Sequence, residues 1–195
     1  MTTQTEPSVN KAALRAEALS RRAALDPTER IEASLAIAEY ADDLPFPPGA
    51  VVSAFLPIRD EIDPRPLMDR LRQAGHPLCL PAIVEGRLVF RAFSRETALV
   101  RAGFGTVEPG PEAPVIAPEA MLVPLAAFDR TGHRIGYGKG YYDCAIQALR
   151  QSGSPVCVGV AFSVQEVDGI PAEDHDQPLA FVLTEKGLFP CGAER

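Results

Sequence analysis

Short apolar runs alternate with helical patterns along most of this chain, and this alternation limits the possible folds more than any other feature. The runs lie at 51–56, 78–84, 121–128, 156–162 and 181–184. Such runs are typical of strands buried on both faces, so the sequence predicts an α/β domain with a mixed, mostly parallel sheet. Ligands of these sheets bind beyond the carboxyl ends of the strands. We therefore expect the loops after Leu56, Phe128 and Phe162 to share one crevice.

The first part of the chain predicts two helices that precede the first strand. Residues 1–9 are polar and predict a flexible tail, which leaves 10–195 for a single domain. The pattern of 10–25 predicts one helix, and Asp-Pro-Thr-Glu at 26–29 matches the N-cap, first-turn proline and capping-box acid of a second. We expect the second helix to bury the apolar side chains that recur at helical spacing, which are Ile31, Leu35 and Ala38.

The middle of the chain predicts a hairpin and a long irregular segment. The runs 78–84 and 88–93 are separated by Glu-Gly-Arg, which favours a close connection between two strands. Residues 97–118 contain many prolines and glycines. A segment of this length without clear regular structure is usually functional or covers a surface.

The segment 129–143, Asp-Arg-Thr-Gly-His-Arg-Ile-Gly-Tyr-Gly-Lys-Gly-Tyr-Tyr-Asp, predicts an anion-binding loop between a strand and a helix. Its glycines alternate at Gly136, Gly138 and Gly140. Glycine permits positive φ and brings backbone N–H groups close to a ligand, and the N-terminus of the following helix adds free donors. A plain turn is the alternative for the glycines alone. The spacing matches neither the Walker A motif nor the dinucleotide-binding fingerprint, which argues against both of those classes.

The distribution of charge makes any anion site local. The net charge of −7 argues against a nucleic-acid-binding surface, which would require a basic excess. The segment 129–143 contains three basic and two acidic side chains, so its net charge is positive in an acidic protein. The chain has three lysines, Lys11, Lys139 and Lys186, and Lys139 lies among the glycines, where a compact ammonium suits phosphate oxygens. A solvated loop charge is the alternative for Lys139.

The sequence shows no signal for export or for a membrane. The N-terminus lacks the apolar run of a signal peptide, and no segment approaches the roughly 18 apolar residues of a membrane span. The four cysteines show neither CxxC pairing nor metal-ligand spacing. We expect a soluble cytoplasmic protein with reduced thiols.

Carboxylates near the glycines are candidates for a metal site. Asp143 follows the glycines and either holds Mg²⁺ or caps the helix that begins there. Asp176, in the Asp-His-Asp of 174–176, is the second candidate. The three histidines lack the paired spacing of a zinc site. Glu61, at a predicted strand end, is either an ordinary exposed acid or a functional one.

The segment 123–143 resembles the signature of the 5-formyltetrahydrofolate cyclo-ligase family, also called methenyltetrahydrofolate synthetases. The resemblance lies in Val-Pro at 123–124, Phe-Asp at 128–129 and the run 132–143. Four further segments agree in order and approximate spacing, and they are 11–15, 55–61, 103–109 and 175–185. The chain departs from the family pattern at Cys144, where a basic residue is common, and at Ala180, where an acid is common.

The resemblance implies a three-layer domain of the NagB/RpiA/CoA-transferase-like type and an enzyme that uses ATP and Mg²⁺. The nucleotide would contact Lys11, Arg15, Arg134, Ile135, Gly136, Tyr137, Gly138, Lys139, Gly140, Tyr141 and Tyr142. The folate would contact Phe55, Leu56, Glu61, Phe104, Tyr137, Gly138 and Tyr141. The catalytic residues would be Lys139, Arg134 and Glu61, and the ligands of Mg²⁺ would be Asp143 and Asp176.

The implied reaction converts 5-formyltetrahydrofolate and ATP into 5,10-methenyltetrahydrofolate, ADP and phosphate. The formyl oxygen attacks the γ-phosphorus, and N10 then attacks the activated carbon and expels phosphate. This chemistry requires positioning and charge neutralisation, which the basic side chains and loop amides supply. Two alternatives remain: a non-catalytic relative that binds folate or nucleotide, and a sugar-phosphate isomerase or acyltransferase on a similar scaffold. We expect a small folate as the partner, with or without a polyglutamate tail, no nucleic acid or membrane, and a monomer or weak homodimer.

Overall fold

The N-terminal third of the molecule is mainly helical, as the sequence predicts. The structure, a computed structural model, describes residues 10–173 and 176–192, so the predicted tail at 1–9 lies outside the described residues. The α-helices in these ranges are α1 (Lys11–Ala24), α2 (Pro27–Ala36), α3 (Arg65–Gln73) and α4 (Tyr141–Arg150). The capping box predicted at the start of α2 is confirmed, because Asp26 and Glu29 each accept from the other's backbone N–H. No helix in the described ranges has the length and apolar character that crossing a membrane requires.

Eleven strands are present in the described residues. In chain order they are β1 (Val52–Ser53), β2 (Leu78–Val84), β3 (Arg87–Phe93), β4 (Leu99–Arg101), β5 (Val107–Pro109), β6 (Ala120–Pro124), β7 (Ala127–Phe128), β8 (Arg134–Ile135), β9 (Val156–Val160), β10 (Phe181–Thr184) and β11 (Gly187–Pro190). Seven form one sheet in the order β11-β10-β9-β6-β1-β2-β3. The five inner strands are parallel, and each edge strand is antiparallel to its neighbour. The predicted mixed, mostly parallel sheet is confirmed.

Helices cover both faces of this sheet. Along β6, Ala120 and Leu122 belong to one apolar cluster, while Met121 and Val123 belong to another. Successive side chains of a strand point to opposite faces, so the two clusters lie on opposite sides of the sheet. The first cluster includes residues of α2 and α3, and the second includes residues of α4. The arrangement is therefore three-layered.

Two predicted strands end earlier than their apolar runs. The predicted strand at 51–56 is reduced to β1, although Ala54 N still donates to Cys79 O at 2.9 Å. The predicted strand at 121–128 divides into β6 and β7 after Pro124. Proline has no N–H with which to extend a hydrogen-bonded ladder. The last strand, β11, is absent from the sequence prediction because its Gly and Pro residues are unfavourable in strands.

The buried face of α2 differs from the prediction. Ile31 and Leu35 are 62% and 55% exposed, so their predicted burial is wrong, whereas Ala38, in the 3₁₀ helix that follows α2, is buried. The smaller Ala33 and Ser34 face the interior instead. The Ser34 hydroxyl is satisfied there, since it donates to Arg30 O at 2.7 Å and accepts from Asp63 N at 3.0 Å. Small side chains permit close packing that the larger ones would prevent.

The hairpin predicted in the middle of the chain is confirmed. Strands β2 and β3 pair in antiparallel register from Leu78 opposite Phe93 to Val84 opposite Arg87. Glu85 and Gly86 connect them, both with positive φ, which suits a tight two-residue connection. The segment 97–118 is less irregular than predicted, since it contains the antiparallel pair β4 and β5.

Candidate active site

A cavity of about 360 Å³ lies where the glycine-rich segment meets the residues after β1. It is lined by Phe55, Leu56, Ile58, Arg59, Glu61, Leu80, Pro81, Ile83, Leu88, Gly103, Thr106, Val107, Glu108, Pro124, Arg134, Gly136, Tyr137, Lys139, Gly140, Tyr141, Tyr142 and Asp143. One wall is mainly apolar, and the other carries basic and glycine residues. Such a combination suits a ligand with both a ring system and an anionic group.

Two of the three loops predicted to share a crevice do so. The segments after β1 and after β7 both line the cavity, whereas the loop after Phe162 contributes none of its lining residues. In that loop, Gln165 turns inward and donates to the carbonyl oxygens of Leu125 and Ala126 at 2.8 and 3.0 Å. The β2–β3 hairpin and β5 complete the cavity instead.

Two of the three alternating glycines of the segment have positive φ, and Gly136 does not. Gly138 and Gly140 have φ values of 87° and 65°. Gly140 is the N-cap of α4 and gives it no side-chain cap, so the first turn keeps free N–H donors. Lys139 is exposed between the two glycines and lines the cavity. Free donors and an ammonium group thus occupy the same wall, which favours an anion there.

Arg134 is held at the base of this wall by β8, which pairs with β7. Its side chain is 5% exposed, and Nη1 donates to Asp143 Oδ1 at 2.9 Å and to Gln177 O at 3.3 Å. Its Nη2 and the hydroxyl of Tyr142 are buried without a hydrogen-bond partner in the described structure. Buried polar atoms are rarely left unpaired, so these two groups at the cavity are suited to a polar ligand. Burial also raises the pKa of Tyr142, which keeps its hydroxyl a donor.

The two aspartates predicted to bind Mg²⁺ contact cationic side chains. Asp143 pairs with Arg134 and does not cap α4, so the capping alternative is wrong. Asp176 accepts from Lys11 Nζ at 2.7 Å and from Glu173 N at 2.9 Å. Burial lowers the pKa of Lys11, but hydrogen bonds and charge from Asp176 and Glu173 outweigh it and raise the pKa overall. Among the described residues, no three His, Cys, Asp or Glu side chains form a metal-binding group.

Several other predicted residues lie apart from the cavity lining. Arg15 contacts the loop backbone, with Nε donating to Gly136 O at 2.7 Å. Ile135 is 2% exposed and packs with Ala18 in a small apolar cluster. The turn that contains Phe104 borders the cavity through Gly103, but the Phe104 side chain lies outside the described residues, as do Asp174 and His175.

A hydrogen-bonded chain of four side chains joins the two walls of the cavity. The carboxylate of Glu61 is 9% exposed, and its Oε1 accepts from the Tyr137 hydroxyl at 2.5 Å. Its Oε2 accepts from Ile58 N at 2.8 Å. Arg22 donates from Nη1 to the Tyr137 oxygen at 2.8 Å and from Nη2 to Asp60 Oδ1 at 2.7 Å. Glu61 is thus a buried, oriented carboxylate at the cavity wall and not an ordinary exposed acid.

Arg22 and Asp60 are functional candidates that the sequence analysis missed. Arg22 lies 115 residues from Tyr137 and 38 from Asp60 along the chain, so no local motif connects them. In sequence it is the second of two adjacent arginines on a helix, a position that usually faces water. Its burial, with 3% exposure, is the feature that distinguishes it.

The charge state of Glu61 leads to a prediction about stability and pH. Burial raises the pKa of Glu61, and the hydrogen bonds from Tyr137 and Ile58 and the charge of Arg22 offset only part of this. An acid whose pKa is raised by folding stabilises the fold below its unfolded pKa and loses that contribution as the pH rises through the folded pKa. The Tm of Glu61→Gln minus that of the wild type should therefore increase as the pH rises above about 4, the unfolded pKa of a glutamate.

In a domain of this size, each 1 kcal/mol of stability that the wild type loses would appear as about 2–4 °C of this increase. Thermal melts at several pH values would measure it. Glu32→Gln is the matched control, because Glu32 is exposed on α2. A difference that stays constant or decreases as the pH rises would contradict the prediction.

The sequence of this chain is similar to one known family of proteins. The model of the 5-formyltetrahydrofolate cyclo-ligase family matches residues 7–185. The 5-formyltetrahydrofolate cyclo-ligase of Escherichia coli (strain K12) is 31% identical over 179 residues, which cover 87% of this chain and 97% of the relative. The enzyme of the same name from Mus musculus is 27% identical over 191 residues, 90% of this chain and 93% of the relative.

A solved structure agrees with the sequence comparisons. The NMR structure of Aquifex aeolicus 5,10-methenyltetrahydrofolate synthetase matches with a TM-score of 0.79 at 30% identity, covering 95% of this chain and 94% of that chain. Its fold and the matches with the relatives, which span most of both chains, agree with the motif at 129–143. This chain belongs to the 5-formyltetrahydrofolate cyclo-ligase family.

Proposed function

We propose that this chain catalyses the ATP- and Mg²⁺-dependent conversion of 5-formyltetrahydrofolate to 5,10-methenyltetrahydrofolate, with release of ADP and phosphate. The observation that carries the proposal is one cavity that combines a glycine-rich basic wall, an apolar wall and the buried Glu61 carboxylate. The family supplies the reaction class, and the two walls of the cavity differ in the way that a folate ring system and a nucleotide phosphate differ.

The glycine-rich wall suits the phosphates of the nucleotide. Lys139 and the free N–H groups at the start of α4 would bind phosphate oxygens, and the unpaired Nη2 of Arg134 is a further donor. Phosphoryl transfer depends mainly on positioning and on neutralising charge, and these groups provide both. The contact between Arg15 and Gly136 O would hold the loop in place.

Asp143 and Asp176 fit the ligand preference of Mg²⁺. This ion commonly takes one or two carboxylates and completes its shell with phosphate oxygens and water. Their cationic partners, Arg134 and Lys11, are groups that would also be attracted to phosphate. Each aspartate would then exchange an ion pair for the metal, whose charge would offset that of the phosphates.

The apolar wall suits the ring system of the folate. Phe55, Leu56 and Ile58 form this wall close to Glu61. An apolar surface with one fixed carboxylate can orient a heterocycle through a hydrogen bond to its ring nitrogens. Tyr137 belongs to the glycine-rich segment and contacts Glu61, so the formyl group would meet the γ-phosphate near this side chain.

A turnover assay tests the proposal directly. The purified protein is incubated with 5-formyltetrahydrofolate, with and without ATP and Mg²⁺, and the methenyl product and ADP are measured together. We expect equal amounts of both products, formed only when ATP and Mg²⁺ are present. Folate binding without turnover would favour the non-catalytic alternative, and product formation without ATP would favour an isomerase-like or acyltransferase-like reaction.

We also propose that the protein acts in the cytoplasm on a free small folate. The acidic net charge of −7 supports a small-molecule partner over nucleic acid. A monomer or weak homodimer is expected, and sedimentation at several protein concentrations would measure the oligomeric state.

A further inference from the structure

We infer that Arg22 is a positioning residue of this site, which holds the Tyr137 hydroxyl so that it donates its proton to Glu61. The inference rests on the proposed function, because it assigns to Glu61 and Tyr137 a role toward the folate. Arg22 itself does not line the main cavity, whereas Tyr137 and Glu61 both do. The hydrogen bond from Arg22 to Tyr137 links it to the cavity lining.

The direction of the hydrogen bonds follows from the chemistry of the guanidinium group. Arginine has five N–H donors and no acceptor, so the Tyr137 oxygen can only accept from Arg22. The single phenolic proton is then left for Glu61 Oε1, which lies 2.5 Å from the hydroxyl oxygen. Without Arg22, the hydroxyl could accept from another donor or turn toward the cavity. Arg22 thus fixes both the position and the polarity of the Tyr137–Glu61 contact.

Asp60 holds Arg22 in the required place. The Arg22 side chain is 4% exposed, and its second nitrogen donates to Asp60 Oδ1 at 2.7 Å. Asp60 and Glu61 are adjacent acids whose charges would repel each other. The guanidinium contacts Asp60 directly and Tyr137, the partner of Glu61, so its positive charge is close to both acids. One arginine therefore connects α1, the loop after β1 and the glycine-rich segment. A lysine could not replace it fully, because a point charge lacks the planar fork that serves two acceptors.

Helix α1 contacts two neighbouring residues of the glycine-rich segment, one through its backbone and one through its side chain. Arg15, seven residues before Arg22 and on the same side of α1, donates to Gly136 O. Arg22 donates to the hydroxyl of the next residue, Tyr137. The backbone before Tyr137 and the tip of its side chain are both anchored by this helix. Such support from outside the first layer of contacts is what keeps a site within its working geometry.

A double-mutant cycle with Arg22→Met and Tyr137→Phe tests the inference. Methionine keeps an apolar stem but cannot donate to Tyr137. We expect Arg22→Met to lower kcat/KM for 5-formyltetrahydrofolate by about 10- to 100-fold, the range that misplacement of a reacting group can produce. In the Tyr137→Phe background the same change should alter kcat/KM by less than about threefold, because the contact is already lost. Within each background, Arg22→Met should change the KM for ATP by less than about twofold.

The control is Arg21→Met, which removes the neighbouring arginine of α1. Arg21 contacts Glu17 and the carbonyl oxygen of Glu166 and none of the four linked side chains. We expect its kcat/KM to stay within about threefold of the wild type. Equal losses from Arg22→Met in both backgrounds would overturn the inference, as would a matching rise in the KM for ATP, since both indicate general support of the fold.

Asp60→Asn provides a second route if Arg22→Met fails to fold. It keeps the size of the side chain and removes the charge that anchors Arg22. We expect Asp60→Asn to lower kcat/KM for the folate in the wild-type background and to have less than about threefold effect beside Tyr137→Phe. Additive losses would again overturn the inference. Activity of the wild-type enzyme tests the proposed function separately, so failure of the two proposals can be told apart.

Discussion

Replacing Lys139 with alanine should lower ATP-dependent turnover by about 10²–10³-fold, the loss that follows removal of one preorganised group that stabilises charge. Lys139 lies between the two positive-φ glycines at the start of α4 and lines the cavity. Its ammonium is exposed, so it can reach a phosphate without first breaking a buried contact. Steady-state rates at varied ATP would measure the loss in kcat/KM for ATP.

The fold of the Lys139→Ala variant should be unchanged. Substitutions of exposed side chains usually change stability by less than about 0.5 kcal/mol, so the Tm should stay within about 2 °C of the wild type. Lys186→Ala is the matched control, since Lys186 is an exposed lysine outside the cavity lining. Normal turnover by Lys139→Ala would show that this lysine is a solvated loop charge with no role in the reaction.

Replacing Gly132 with alanine should destabilise the protein by about 3 kcal/mol, which combines backbone strain with overpacking. Gly132 has φ of 95°, and an added Cβ would lie 2.6 Å from Leu179 O and 2.9 Å from the Cβ of Cys191. The first of these is a backbone atom, which cannot move aside as the end of a side chain can. Leu179 N also donates to Gly132 O at 2.9 Å, so displacement would break a hydrogen bond.

The Gly132→Ala variant should melt about 6–12 °C below the wild type. Two control glycines separate the causes, because an added Cβ meets nothing within 4 Å at either. Gly49 has φ of 73°, so Gly49→Ala adds strain without a clash, whereas Gly169 has no positive φ and should tolerate alanine. If Gly132→Ala melts no lower than Gly49→Ala, the close approach to Leu179 is not a source of instability.

The sequence predicts those parts of the site that are formed by residues close to one another along the chain. The glycine-rich segment, the helix start after it and the sheet of buried strands all follow local patterns, and the structure contains each of them. Asp129 illustrates the same point, since its Oδ1 accepts from the N–H groups of Thr131 and His133 and thus fixes the turn that leads to Arg134. Residue type and spacing are sufficient where the contacts are short in sequence.

Contacts between distant segments are the part that sequence patterns could not supply. No local pattern indicates Arg22, because its partners lie in two other segments. Lys11 and Asp176 contact each other although they lie 165 residues apart, and the sequence predicts different ligands for them. Ile31 and Leu35 have helical spacing, but packing in three dimensions favours the smaller neighbours. The size and spacing of apolar side chains are properties of the helix alone. Which of these side chains are buried depends on the elements that the helix packs against.

The order of strands in the sheet bears on how the molecule folds. The inner strand β1 has two residues, and it pairs with β2 and with the central strand β6, where Val52 lies opposite Ala120. The edge pairs β2–β3 and β10–β11 join neighbouring segments, so they can form quickly. The parallel centre must wait for closure of much longer loops, which slows pairing of this kind. We therefore expect the cavity, which is lined by the segment after β1 and by Pro124 of β6, to be assembled late in folding, after both edges of the sheet are in place.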